Sequence, residues 1–354
     1  MNRMMRLAFA GIALSVAMAG SLPAESAAHQ APPGTPAAIE TRMLMALGDY
    51  AQALRVWRPL AEQGDPEGQL NLGLAYLWGR GVMADEGQAV AWIRKAADQG
   101  FAPAQSSLAD YYGAFVDSKR RDLRLAMEWD RKAADQGDAS GQYAVCTTYL
   151  GNELTPKDDA LALRWCQLAA EQGHTRAQYE LGRMYAEGRG TPVDKAKALL
   201  WLRRAAENGL YIAHFDIEQA GGREAYVETL ADYRSRAERG EARAQASLAN
   251  VYYSGLLVPE DQAIAFQWWR KSAEQGDAEG ALSLGEAYLH GLGTERDFIQ
   301  AYKWLSLGAV WLGEVNREFS EPLFYIRDGL AQDMTAAQLA EARRQIREAM
   351  SARS

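Results

Sequence analysis

The side chains of this chain that suit catalysis or metal binding are few and scattered. Its four histidines are His29, His174, His214 and His290. No two of them have the spacing of metal ligands on one helix or loop, so each reads as a solvated or turn histidine. Three Gly-x-Gly loops, Gly79/Gly81, Gly188/Gly190 and Gly291/Gly293, lack the preceding strand and the following Lys-Ser/Thr of a phosphate loop, and read as turns. Asp65, Asp138 and Asp277 precede helical patterns and suit caps or turns rather than a buried acid/base couple. There is no Gly-x-Ser-x-Gly elbow, and neither cysteine has a histidine beside it in a local motif. The expectation is a protein with no catalytic residue, no cofactor and no metal. The stronger signal is aromatic: Trp92, Trp129, Trp165, Trp201, Trp268 and Trp304 occupy one equivalent position, which makes them core wedges. Trp78 lies outside that register.

The element that sets this register is an internal repeat. Ala61-Glu62-Gln63-Gly64 returns as Ala97-Asp98-Gln99-Gly100, Ala134-Asp135-Gln136-Gly137, Ala170-Glu171-Gln172-Gly173, Ala206-Glu207-Asn208-Gly209, Ala237-Glu238-Arg239-Gly240 and Ala273-Glu274-Gln275-Gly276. The intervals between the glycines are 36, 37, 36, 36, 31 and 36. A period in this range specifies stacked helical hairpins, each hairpin burying the apolar face of the next. Between Gly173 and Ala206, Ala177, Leu181, Gly182 and Tyr185 share one face of a first helix. Gly188-Arg189-Gly190 ends it, Asp194 supplies an N-cap, and Ala198, Trp201, Leu202, Ala205 and Ala206 face inward from a second helix. The position after Leu is small, as in Leu72-Gly73, Leu181-Gly182 and Leu284-Gly285, which lets the two helices approach closely.

The pattern A-x-x-x-L-G-x-x-Y-x-x-G-x-G followed by D-x-x-x-A-x-x-W-x-x-x-A-A-x-x-G resembles the Sel-1-like repeat, a relative of the tetratricopeptide repeat. The likeness runs over roughly residues 46–313. It implies an all-α, right-handed α-solenoid of helix-turn-helix hairpins that serves as an adaptor or scaffold. Within the array, residues 210–240 are irregular. They are five residues short, lack the Leu-Gly and Tyr positions, and contain Gly221-Gly222. A shortened hairpin that redirects the superhelix is expected there, with blocks at roughly 37–209 and 241–354; simple drift of one unit is the other reading.

Both ends read as special. Arg3 and Arg6 precede an apolar run from Leu7 to Ala19, then small residues, which is the layout of a secretory signal peptide over residues 1–28. That run is too short to span a bilayer. A disordered leader is expected over 29–40, the solenoid over 41–313, and capping helices over 314–354. Residues 46–63 resemble a second helix whose first helix is missing or short. At the other end Thr335-x-x-Gln338 forms a capping-box pattern before a helix with Leu339, Ile346 and Met350 on one stripe. In an exported chain the two cysteines, Cys146 and Cys166, favour a disulfide between the helices of one unit, with two buried thiols as the alternative.

Function is then expected in what differs between repeats. The net charge of -8 argues against a nucleic-acid partner, and no span of the mature chain is long enough for a membrane. In the related repeats the first helices line a concave face. Leu74, Asp110, Thr147, Arg183, Asn250 and Glu286 are equivalent variable positions on them, with Trp78, Glu187, Tyr253 and His290 nearby. The expectation is a periplasmic or secreted, non-catalytic scaffold or adaptor of the bacterial envelope. Its partner groove would be built from Trp78, Asp110, Arg183, Glu187, Asn250, Tyr253, Glu286 and His290. The alternative is a carbohydrate-binding or polysaccharide-handling module, which a row of three or more exposed aromatics would favour.

Overall fold

A computed structural model describes residues 36–115, 121–151, 155–210, 212–255, 258–313 and 317–352. The signal peptide and most of the expected leader lie outside these residues. Among the described residues the fold is an all-α solenoid of consecutive antiparallel helices, with no strand. In chain order the helices are α1 (Pro36–Leu47), α2 (Tyr50–Glu62), α3 (Pro66–Trp78), α4 (Glu86–Asp98), α5 (Ala102–Asp110, continued by a π-helical turn Tyr111–Phe115), α6 (Leu123–Asp135), α7 (Ala139–Leu150), α8 (Asp159–Glu171), α9 (Thr175–Glu187), α10 (Lys195–Glu207), α11 (Ile212–Glu238), α12 (Ala242–Ser254), α13 (Gln262–Glu274), α14 (Ala278–His290), α15 (Phe298–Gly313), α16 (Arg317–Asp333) and α17 (Ala336–Ser351). They form two compact units. One holds the described residues to Ala177 with Gly188–Pro192; the other holds Gln178–Glu187 and the chain from Val193 onward.

The repeat residues have distinct structural tasks. Asp65, Asp138 and Asp277 are N-caps whose carboxylates accept from the N–H of Gly68, Gly141 and Gly280. The small residue after Leu is a contact point. At Gly73 and Gly182 a Cβ would stand 2.6 Å from Ile93 and 2.8 Å from Leu202, so the second helix packs directly on first-helix backbone. The tetrad glutamine is a clamp. Nε2 of Gln99, Gln136, Gln172 and Gln275 donates to Oε1 of Gln69, Gln105, Gln142 and Gln245, each at 2.7 Å. Asn208 does the same to Gln178. The accepting glutamines Gln69, Gln105 and Gln245 in turn donate to the carbonyls of Ala61, Ala97 and Ala237. At these three the chain of amides ties one hairpin to the one before it, with the accepting glutamines buried and satisfied. At Gly190 a side chain would run into the backbone of Asp159 in the preceding hairpin, which is why these Gly-x-Gly loops are turns.

The tryptophans divide. Trp129, Trp201 and Trp304 are buried, whereas Trp92, Trp165 and Trp268 are only half-buried. Each carries a cation on its ring: Lys95, Lys132, Arg204, Lys271 and Lys303 over Trp92, Trp129, Trp201, Trp268 and Trp304, and Arg131 over Trp165. The expectation of six core wedges therefore holds for three. The others sit under lysine and arginine stems, which cover apolar rings while keeping their charge in water.

Residues 212–238 differ from the pattern as the short interval requires. Gly222 adopts φ 78°, ψ 178°, inside α11. His214 lies 5.7 Å from the ring of Tyr226. In a straight helix, twelve residues would separate them by about 18 Å, so the chain folds back at Gly222 into a hairpin with almost no loop. Here Arg239 stands where the other tetrads have Gln or Asn, and it bonds Ser235 and Glu241 instead.

The N-terminal reading needs correction. The expected leader reached residue 40, but α1 begins at Pro36, where proline suits a first helical turn. The first hairpin thus has both helices, and Trp57 Nε1 of α2 donates to Thr41 Oγ1 of α1 at 3.2 Å. At the other end Thr335 and Gln338 form the capping box, and Ala342 and Ile346 are fully buried.

Candidate functional site

The expected groove residues fall into different environments. In the first unit, Trp78 is half-buried against Leu70, Leu108 and Trp129, with Arg80 6.0 Å from its ring centroid. Asp110 ends α5 half-buried, immediately before the π-helical turn. Cys146 on α7 and Cys166 on α8 are disulfide-paired with Cα atoms 5.2 Å apart. They occupy the positions that Gly182 and Leu202 hold in the next hairpin, so the covalent pair replaces the small-against-large contact.

In the second unit, Arg183 on α9 is encircled by carboxylates: Glu187 at 3.1 Å, Glu180 at 3.9 Å and Asp216 of α11 at 3.9 Å. Glu187 is thus this arginine's ion-pair partner. Tyr179, beside them, is held well above the usual phenol range by burial and by its hydrogen bond to Asp216. The local face is acidic, with three carboxylates for one guanidinium.

Asn250, Tyr253 and Glu286 come together. Asn250 on α12 donates from Nδ2 to Glu279 Oε1 at 2.6 Å and accepts at Oδ1 from Trp269 Nε1 at 2.8 Å. Trp269 is 3% exposed and packs 5.3 Å from the Tyr253 ring. Burial, then the carboxyls of Glu286 and Glu260, raise the Tyr253 phenol. Glu286 is buried on α14, and burial pushes its carboxyl up to about 7. His290 stands at the exposed end of α14, where its carbonyl accepts from Arg296.

Glu279 is the residue that the sequence reading missed. It lies on the first turn of α14, 7% exposed, and its carboxyl is pushed up to about 8 by burial and by Asp277. Arg243 and the Asn250 hydrogen bond oppose that shift. A Cβ at Gly209 would stand 2.6 Å from this carboxylate, so the turn after α10 seals the glutamate in. Around it run Gln178, Asn208, Arg243 and Asp277 in one hydrogen-bonded series; Arg243 reaches Asp277 at 3.2 Å. The equivalent residue of the first full repeat, Glu67, is exposed. Only the fold, which brings the Gly209 turn onto α14, distinguishes the two.

Two histidines are also corrected. His174 is buried at the N-cap position of α9, where Nδ1 accepts from Ala177 N–H and the ring stacks 4.5 Å from Tyr143. Burial and Arg176 lower it to about 3. His214 is buried between the edges of Tyr226 and Tyr233, and burial lowers it to about 4. Both are neutral core groups, not solvated ones. His29 lies outside the described residues. Among the described residues no group of three His, Cys, Asp or Glu can hold a metal ion, and no helix is long and apolar enough to cross a membrane.

Comparison with known proteins agrees with the geometry of the hairpins. The Sel1 repeat family matches residues 66–101, 102–138, 139–174, 175–210, 242–277 and 278–309, more than half of the chain. The gap between the fourth and fifth matches is the irregular hairpin. A stretch of 62 residues is 44% identical to an uncharacterized protein of Neisseria meningitidis serogroup B, spanning 18% of this chain and 13% of that relative's length. Among solved structures, a Sel1 repeat protein from Oxalobacter formigenes is 27% identical, covers 78% of this chain and 97% of its own, and has a TM-score of 0.44. A protective antigen of uropathogenic Escherichia coli with an SLR fold is 28% identical over 90% of this chain and 77% of its own, with a TM-score of 0.36.

Proposed function

Because this chain belongs to the Sel1 repeat family, whose members are generally non-catalytic protein–protein interaction scaffolds, we propose that it is an exported scaffold of the bacterial envelope. The partner docks on first-helix residues of the second unit, centred on Asn250, Tyr253 and Glu286. The observation that carries this reading is their convergence: three variable positions of the repeat meet in one polar and aromatic cluster, which the repeat skeleton does not need. Export is supported by the signal-peptide layout of residues 1–28 and by the Cys146–Cys166 pair.

The carbohydrate alternative wants a row of exposed aromatics. Among the described residues the exposed large apolar side chains include only Phe215 and Tyr325 as aromatics, on α11 and α16. A protein or peptide fits the mixed charged surface better. Two measurements test the proposal. Sequencing the mature N-terminus from fractionated cells is expected to find a chain shortened near residue 28, in the exported fraction. Affinity purification from envelope extract, with wild type beside Tyr253→Ala, is expected to recover a partner with the former and lose it with the latter. Equal recovery would remove the docking assignment.

A further inference from the structure

The cluster on α12, α13 and α14 holds two buried carboxyls that the fold leaves incompletely matched. Glu279 accepts from Asn250 at one oxygen, while its Oε2 is buried with no hydrogen-bond partner among the described residues. Glu286 is 8% exposed, and no described residue donates a hydrogen bond to it. At its equivalent positions the other repeats place Leu74, Asp110, Thr147, Arg183 and Asn250, so the array itself does not require a glutamate there. A buried polar group without a partner is unfavourable by about 1–3 kcal/mol, more if charged. Carboxyls whose proton affinity burial has shifted in this way cluster at functional sites.

The surroundings specify the sign and type of ligand. Tyr253 and Trp269, 5.3 Å apart, form an aromatic wall next to Glu286. Carboxylate plus aromatic face is the pairing that an ammonium or guanidinium satisfies, through a charge-assisted hydrogen bond and a cation–π contact together. A divalent metal wants about six or more oxygen ligands, or a His/Cys set, neither of which is assembled here. The same unit also carries Glu180, Glu187 and Asp216 around Arg183 on other first-helix residues.

We propose that Glu286, with Tyr253 as its wall and buried Trp269 backing that ring, seats a lysine or arginine side chain of a protein partner. This rests on the reading of the chain as a protein-binding scaffold. The partner segment is basic, and its cation supplies the donor that Glu286 lacks.

A random peptide library displayed against the purified full chain at pH 7.5 tests this. Enriched peptides are expected to share a lysine or arginine. For one such peptide, fluorescence anisotropy is expected to show at least tenfold weaker binding when that residue becomes norleucine or citrulline. The same loss is expected with Glu286→Gln. Glu274→Gln, on the exposed side of α13, is expected to stay within twofold. Thermal melts confirm that the Gln variants are folded. Enriched peptides without a basic residue whose binding is lost in Tyr253→Ala would overturn the cation seat and leave the scaffold reading intact. Basic peptides indifferent to Glu286→Gln would overturn it as well. If no peptide is enriched, both readings fail.

Discussion

Replacing Glu279 by glutamine should make this protein more stable, and increasingly so as pH rises. The carboxyl is raised from its ordinary 4.5 to about 8, chiefly by burial and then by Asp277. A group raised in the folded state contributes stability that is complete below its unfolded value and is lost as pH climbs through its folded value. Between pH 5 and 8 the unfolded chain ionises freely while the folded chain resists, at about 1.4 kcal/mol per pH unit. Glutamine keeps the acceptor for Asn250 and cannot ionise. Glu286 and His214 titrate in both proteins and cancel. The gap between Glu279→Gln and wild type should therefore widen by about 3 kcal/mol between pH 5 and 7.5. Urea unfolding followed by tryptophan emission reads this directly; with a slope of about 1–3 kcal/mol per molar, the relative midpoint moves by about 1–3 M. Parallel stability curves for the two proteins over that range would refute the reasoning, because they would mean a hydrated carboxylate with its ordinary affinity for protons.

Other consequences follow from the same packing. His214 is lowered to about 4, so its contribution is present above pH 6.5 and is lost as pH falls toward 4. His214→Phe, which keeps an aromatic ring between Tyr226 and Tyr233, should gain about 2–3 kcal/mol on wild type as pH drops from 7 to 4.5, measured by urea midpoints. Gly182→Ala puts a methyl 2.8 Å from Leu202 and should cost about 1–3 kcal/mol in a thermal or urea melt. Reducing the Cys146–Cys166 pair, which closes a separation of 20 residues, should cost about 3 kcal/mol in chemical unfolding. Thiol titration of the unreduced exported protein should find no free thiol, and two would contradict the pairing. Gln136→Ala removes the donor to Gln105 in a part-buried clamp and should lower stability by about 1–2 kcal/mol.

Local chemistry was legible in the chain, and contacts across the irregular segment were not. The caps at Asp65, Asp138 and Asp277, the close approach at Gly73, Gly182 and Gly285, and the capping box at Thr335 all follow from neighbours a few residues away or one repeat away. Periodicity therefore exposes them. The clamp role of the tetrad glutamine was not read from the chain: its partner lies 30 or 31 residues upstream, and only the geometry shows the two amides meeting. Glu279 was not readable. Its sequence surroundings match those of exposed Glu67, and it is buried because the Gly209 turn comes to rest on it once residues 212–238 collapse into a hairpin at Gly222. His214 was misread for the same reason: its burial depends on Tyr226 and Tyr233, brought back by that fold. The half-buried tryptophans show the limit of periodic reasoning in another way. One repeat position is buried in some hairpins, such as Trp129, and half-buried under a lysine in others, such as Trp92 and Trp268, although the repeat pattern around them is the same.

The central claim is that the partner binds first-helix residues of the second unit. Site-specific photocrosslinking in living cells tests it most directly, with a photoreactive residue placed in turn at Tyr253, at Arg183, and at the exposed second-helix positions Leu200 and Ile264. The account predicts one protein adduct, from Tyr253 and Arg183 and absent from Leu200 and Ile264. Adducts confined to Leu200 and Ile264, or none at any position, would contradict it.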